Sequence, residues 1–103
     1  MNQVNLVART TRDPELRYLQ NGTAVANLSV AINSKFKKDE SFFFECKAWS
    51  KTAELLAEYI RKGDQIGITG ELQQQRWDND NGEKRSKVII NIESITFVGS
   101  KKE

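Results

Sequence analysis

The sequence predicts an all-β fold, a small barrel of five short strands with one short helix between the third and the fourth. Three observations carry that expectation. Apolar and polar residues alternate in five segments, the period of a half-buried strand. Only Lys51 to Lys62 has helical spacing. Hydrophobic residues make up 38% of the chain and mean hydropathy is −0.62, which implies a thin core. At 103 residues, a single domain spanning 1–103 is expected. A chain of this size buries only about 60 to 65% of its unfolded surface, so self-association is expected to add stability.

The first strand is Gln3 to Arg9, with Val4, Leu6 and Ala8 on one side and Gln3, Asn5 and Arg9 on the other. Asp13-Pro14-Glu15 reads as a turn, since proline presets φ and pushes the residue before it out of the helical region. Asn21-Gly22 is a second turn, and from Thr23 the alternation resumes, with Ala24, Ala26, Leu28, Val30 and Ile32 facing one way. Ser34 to Ser41 is a charged hairpin loop around Phe36. In the third strand, Phe42, Phe44, Cys46 and Ala48 form an apolar row, while Phe43, Glu45, Lys47 and Trp49 form the opposite one. Within Lys51 to Lys62 a stripe of Ala53, Leu56, Ala57 and Ile60 marks the helix. Ser50 or Thr52 is expected to cap its start, Arg61 and Lys62 to meet the negative end of its dipole, and Gly63 to stop it. The fourth strand, Gln65 to Trp77, points Ile66, Ile68 and Leu72 inward and Gln73, Gln75 and Trp77 outward. A polar loop from Asp78 to Arg85 turns on Asn81-Gly82. The last strand, Lys87 to Val98, changes its inward parity from Val88, Ile90 and Ile92 to Ile95 and Phe97, which predicts a bulge near Glu93 and Ser94. Three strands, a helix and two strands match the element order of the Greek-key OB fold.

Sixteen Lys and Arg against fourteen Asp and Glu leave a net charge of +2, so the distribution of charge has to decide the partner. With one cysteine and no histidine there is no internal disulfide, no Cys–His zinc site and no histidine acid–base chemistry. These features fit a reducing cytoplasm and a protein that is not an enzyme. No apolar run reaches the roughly 18 residues of a membrane span, and Met1 is followed by polar residues rather than an export leader. Asp78, Asp80 and Gly82 resemble a calcium loop but lack its terminal glutamate and flanking helices, so no metal or other cofactor is expected. Cys46, on the apolar row, reads as a small core residue.

Rings on charged rows call for an explanation. Phe43 and Trp49 share a face with Glu45 and Lys47, and Trp77 shares one with Gln73 and Gln75. Bases of a single strand stack on such rings for about 1 to 3 kcal/mol each while cations follow the phosphates. The same rings could instead pack in a subunit interface or a second small cluster. Phe36, beside Lys35, Lys37 and Lys38, is either a finger over nucleic acid or a ring folded over the barrel mouth. Arg9, Arg12, Arg17, Lys47, Lys51, Arg76, Lys84, Arg85 and Lys87 are further candidate phosphate contacts at loops and rims.

Asp13-Pro14-Glu15-Leu16-Arg17-Tyr18, Asn21-Gly22-Thr23-Ala24-Val25-Ala26-Asn27, Trp49-Ser50-Lys51-Thr52-Ala53-Glu54, Arg61-Lys62-Gly63-Asp64 and Gly70-Glu71-Leu72, in this order and spacing, closely resemble the bacterial single-stranded DNA-binding proteins from about Val4 to Phe97. The resemblance implies a homotetramer of OB folds that coats single-stranded DNA without reading its sequence, in replication, repair and recombination. It carries the stacking role onto Phe36, Phe43, Trp49 and Trp77. Phe36 and Phe43 stand where some family members have Trp, and Gln73-Gln74-Gln75 replaces a stretch that is often basic. Family members typically continue into a linker and an acidic tip that recruits other proteins, whereas this sequence ends at Lys101-Lys102-Glu103, so recruitment through a tail is not expected. A protein-interaction module like the primosomal adaptors related to this family is the alternative. An OB-fold nuclease would need a carboxylate cluster that the sequence does not offer.

Overall fold

The computed structural model describes residues 1–98. Lys101-Lys102-Glu103, on which the expectation about the tail rests, lies outside the described residues, as does the end of the expected 1–103 domain. The strands are β1 (Val4–Thr10), β2 (Glu15–Tyr18), β3 (Ala24–Asn33), β4 (Ser41–Trp49), β5 (Gln65–Asp78) and β6 (Lys84–Phe97), with α1 (Ser50–Tyr59) between β4 and β5. β1, β5, β6, β4 and β3 close into a ring through antiparallel ladders and one parallel ladder, β4 to β6. This is the expected five-stranded OB barrel, and α1 follows its third strand as expected. β2 is an addition to that plan, a short strand laid along β3 with Glu15 opposite Asn27 and Tyr18 opposite Ala24. Four residues at an edge, mostly exposed, are too few for alternation to show.

Alternation places the core. Ala24, Ala26, Leu28 and Val30 of β3, Cys46 and Ala48 of β4, Ile66 and Ile68 of β5, and Ile90 and Ile92 of β6 are buried together with Ala8 of β1. Each fully buried Leu or Ile contributes about 1.5 to 3 kcal/mol. The alanines let the helix approach closely: Ala26 and Ala48 are cross-strand partners, and α1 adds Ala53 and Leu56, with Ile60 at its C-cap, to the same cluster. Cys46 is a core residue, as expected, and burial pushes its thiol up to about 12.

Both helix ends differ from expectation. Neither Ser50 nor Thr52 caps the start; Trp49 holds the N-cap position in extended conformation with no side-chain hydrogen bond, and Ser50 takes a positive φ of 54° as the chain swings out of β4. The helix stops at Tyr59, before Gly63, whose φ of 90° serves instead a turn in which the Asp64 amide donates to the Arg61 carbonyl (3.0 Å). Arg61 does meet the helix C-terminus, its guanidinium donating to the carbonyls of Ala57 (2.8 Å) and Ile60 (2.7 Å). Buried Thr10 ties this turn to β1, its hydroxyl donating to the Arg61 carbonyl (2.7 Å) and accepting from the Asp64 amide (3.2 Å).

The expected bulge is present. Thr69 pairs with Ser94 and Gly70 with Ile92, so Glu93 is the extra residue on β6. Gly70 is required there, because a Cβ would run into the Asn91 carbonyl oxygen and lie 3.1 Å from Ile92 Cα. Past the β4–β6 ladder, which ends at Ile89, β5 and β6 run on as a two-stranded arm, Gln74–Asp78 against Lys84–Val88, turning at Gly82 with φ 80°. Leu72, at the arm's base, and Val88, on the arm, have the inward parity the sequence assigns them but are exposed, because no opposite wall of the barrel lies across from them. Phe97, also expected inward, is exposed at the barrel end and meets Tyr59 edge to face at 5.9 Å.

Candidate nucleic-acid interface

Residues directly opposite in a ladder share a face, so the registers define the outer surface of the barrel row by row. Arg17, Val25 and Trp49 form one row across β2, β3 and β4. Asn27, Lys47, Asn91 and Glu71 form the next, and Ser29, Glu45, Ile89 and Gln73 the one after it. Arg9, Ala31 and Phe43 make a fourth row, while Gln75 faces Lys87 and Trp77 faces Arg85 on the arm. Phe43, Trp49 and Trp77 therefore stand on one continuous face that runs from β2 to the arm. They are 67%, 40% and 45% exposed. Such exposure excludes a core role for all three.

Trp49 is held rather than free. Its indole Nε1–H donates to Asn91 Oδ1 at 2.8 Å, across the parallel β4–β6 seam. A second bond crosses the same seam, from Lys87 Nζ to Glu45 Oε1 at 2.6 Å. The Lys87 ammonium also lies 5.9 Å from the centroid of the Trp77 ring, within cation–π range. Ile89 is buried although it points away from the barrel core, so the side chains of this face shield it from water. Glu45 has its carboxyl held below the ordinary range, chiefly by the hydrogen bond from Lys87, against the opposing effect of burial and with the further help of the charges of Lys87, Arg12 and Lys47.

The other predicted residues divide into three groups. Phe36 is 96% exposed at the tip of the loop between β3 and β4, which removes the reading of a ring folded over the barrel mouth. The loop is shaped by Ser34, whose hydroxyl accepts from the amides of Phe36 and Lys37 (3.1 Å each), and Lys35 and Lys37 are exposed beside the ring. Arg17, Lys47 and Arg85 reach the face or its arm, although Arg85 pairs with Glu83 at 2.7 Å; Lys84, opposite Asp78 and 3.9 Å from it, has the parity of the other side of the arm. Arg9, Lys51 and Arg76 are less favourably placed. Arg9 shares the row of Phe43, but its guanidinium donates to the Gly63 carbonyl at 2.7 Å. Lys51 sits on the first turn of α1, and Arg76 has the opposite parity to Trp77 and donates to Gln74 Oε1 at 2.7 Å. The hairpin loop spends its polar atoms internally: Asn79 Oδ1 accepts from the amides of Asn81 (2.9 Å) and Glu83 (2.8 Å). Among the described residues no group of three or more His, Cys, Asp and Glu side chains converges as a metal would require, and no helix is long and apolar enough to cross a membrane.

Sequence reasoning does not single out Asn91. Its signal is parity, a lone polar residue between Ile90 and Ile92 that must face outward. Glu45 and Lys87 carry no sequence signal as a pair, because only the parallel register brings β4 and β6 together.

A barrel with exposed rings and cations on one face is the architecture of an OB-fold nucleic-acid-binding protein. Residues 1–98 match the single-strand binding protein family, and the chain belongs to that family. It is 42% identical over 101 residues to the single-stranded DNA-binding protein of Clostridium perfringens, covering 97% of this chain and 67% of that protein. Single-stranded DNA-binding protein 1 of Synechocystis sp. is 40% identical over 106 residues, covering 100% of this chain and 88% of the relative. The single-stranded DNA-binding protein of Halalkalibacterium halodurans is 41% identical over 102 residues, 95% of this chain and 61% of that protein.

Proposed function

We propose that this protein binds single-stranded DNA independently of sequence and coats it during replication, repair and recombination. The observation that carries the reading is the single outer face on which Phe43, Trp49 and Trp77 are exposed beside Lys47 and Lys87. Bases stack on the rings and cations follow the phosphates, so every base is accepted and no bond is made or broken. Phe36 closes over the strand from its loop, with Lys35 and Lys37 beside it, and Arg17 and Arg85 extend the phosphate path. Arg9, Lys51, Arg76 and Lys84 contribute once their present hydrogen bonds, ion pairs or positions allow. The names of the relatives support the same reading. An adaptor that works only through other proteins has no use for these rings.

The assembly is a homotetramer. Val7 and the Tyr59–Phe97 pair leave exposed apolar surface outside the face just described, and a small core gains from association. The setting that fits is the cytoplasm, where DNA is replicated and the lone Cys46 stays reduced. Titration of intrinsic tryptophan fluorescence with an oligo-dT strand at rising salt tests the reading. Strong quenching is expected, with an affinity that falls at a log–log slope of about −0.7 per phosphate contact. Absence of quenching, or an affinity indifferent to salt, contradicts it. Light scattering that returns a species near 11.8 kDa contradicts the tetramer.

A further inference from the structure

Glu45 is a carboxylate at the centre of a face built for a polyanion. On β4 it stands between Phe43 and Lys47, and its ladder partners are Ser29 on β3 and Ile89 on β6. It accepts from Lys87 Nζ at 2.6 Å, the two side chains being 56% and 42% exposed. The same ammonium lies 5.9 Å from the Trp77 ring, so one cation joins the anion on the barrel to the ring on the arm. Arg12 and Lys47 contribute positive potential at the same carboxylate. Three cations thus surround one anion on the path between Trp49 and Trp77.

A carboxylate oxygen and a phosphate oxygen are equivalent partners for an ammonium, since both accept short charge-assisted hydrogen bonds. A strand with a base on Trp77 brings its phosphates to the ammonium beside that ring. We propose that Glu45 holds, in the free protein, the anion position at Lys87 that a phosphate of the bound strand takes over, so that this carboxylate limits both the affinity and its dependence on salt. The proposal rests on the single-strand-binding function argued above. Its logic is ion exchange. An unpaired lysine that meets a phosphate releases the counterion condensed on the strand, whereas Lys87 must first give up Glu45, which then recruits a cation of its own. Contact at Lys87 therefore adds little to the salt slope or to the affinity, since the bond gained to the phosphate replaces one lost to Glu45. The pair acts as a restraint that keeps the coat removable.

Glu45→Gln, Lys87→Gln and the double variant, each titrated with oligo-dT at several salt concentrations, test this. Glu45→Gln should bind about two- to five-fold more tightly at low salt, the factor of an exposed ion pair. Its log–log slope should steepen by about 0.7, one phosphate contact. In the Lys87→Gln background, the same Glu45→Gln change should add nothing. An unchanged or weaker affinity for Glu45→Gln overturns the proposal. Equal tightening with and without Lys87 also overturns it, because Glu45 would then act as a general repulsive charge. A wild-type protein that fails to bind oligo-dT at any salt overturns the underlying function and this proposal with it, while the other outcomes bear on Glu45 alone.

Discussion

β5 and β6 are built twice over, once inside the barrel and once in the arm, and the two halves of the same strands behave differently. Inside, Ile66, Ile68, Ile90 and Ile92 alternate into a common core. Outside, Leu72 and Val88 continue the same parity into solvent, and the arm residues of both faces are largely exposed. The boundary is the end of the β4–β6 ladder at Ile89, and the bulge at Gly70 and Glu93 bends the pair before it. At the arm's base, Asn2 clamps Leu72 in both directions, its side chain donating to the Leu72 carbonyl and accepting from the Leu72 amide, each at 2.9 Å. Alternation decides which way a side chain faces. Ring closure alone decides whether an interior lies there. The barrel is thus where stability resides, and the arm holds Trp77 at little structural cost.

Substitutions on the two sides of that boundary should separate folding from binding. Leu28→Ala, in the fully buried β3 row, should lower the unfolding free energy by about 2 to 5 kcal/mol, read by thermal or denaturant melting, while leaving the affinity of the folded fraction for a single strand near wild type. Gly70→Ala should destabilise by about 1 to 3 kcal/mol through the clash with the Asn91 carbonyl, and should also weaken binding by shifting the arm. Melting that matches wild type for Gly70→Ala would contradict the close approach of the two strands at the bulge. The smallest effect concerns acid. Glu45 has a folded pKa below its ordinary 4.5, so its stabilising contribution is present above that value and is lost as pH falls through the lower folded value. The pair with Lys87 is exposed, which limits the effect to about 0.2 to 1 kcal/mol. Glu45→Gln should flatten the stability profile below pH 4.5 by that amount, and an identical acid profile in the variant contradicts the assignment.

Much of this architecture is legible in the sequence because its dominant signals are local. The period of two from Ala24 to Ile32 foretells the β3 core row, and the parity change around Glu93 foretells the bulge. Phe43, Trp49 and Trp77 are recognisable as outward rings for the same reason. Non-local features are not legible. β2 escapes because four residues carry no period, and the exposure of Leu72 and Val88 escapes because nothing in their parity tells where the barrel ends. Arg76 has the composition of a phosphate contact beside Trp77, yet the pleat turns it to the other side of the arm. The Glu45–Lys87 and Trp49–Asn91 bonds depend on the parallel β4–β6 register, which joins segments far apart in the chain.

Trp77→Ala tests the division between barrel and arm most directly, with affinity for oligo-dT and melting temperature measured on the same sample. Removal of a stacking platform should weaken binding by about 1 to 3 kcal/mol. The melting temperature should stay within about a degree or two of wild type, because a ring on the open arm supports no core. Unfolding of the variant, or an affinity equal to that of the wild type, would contradict the account.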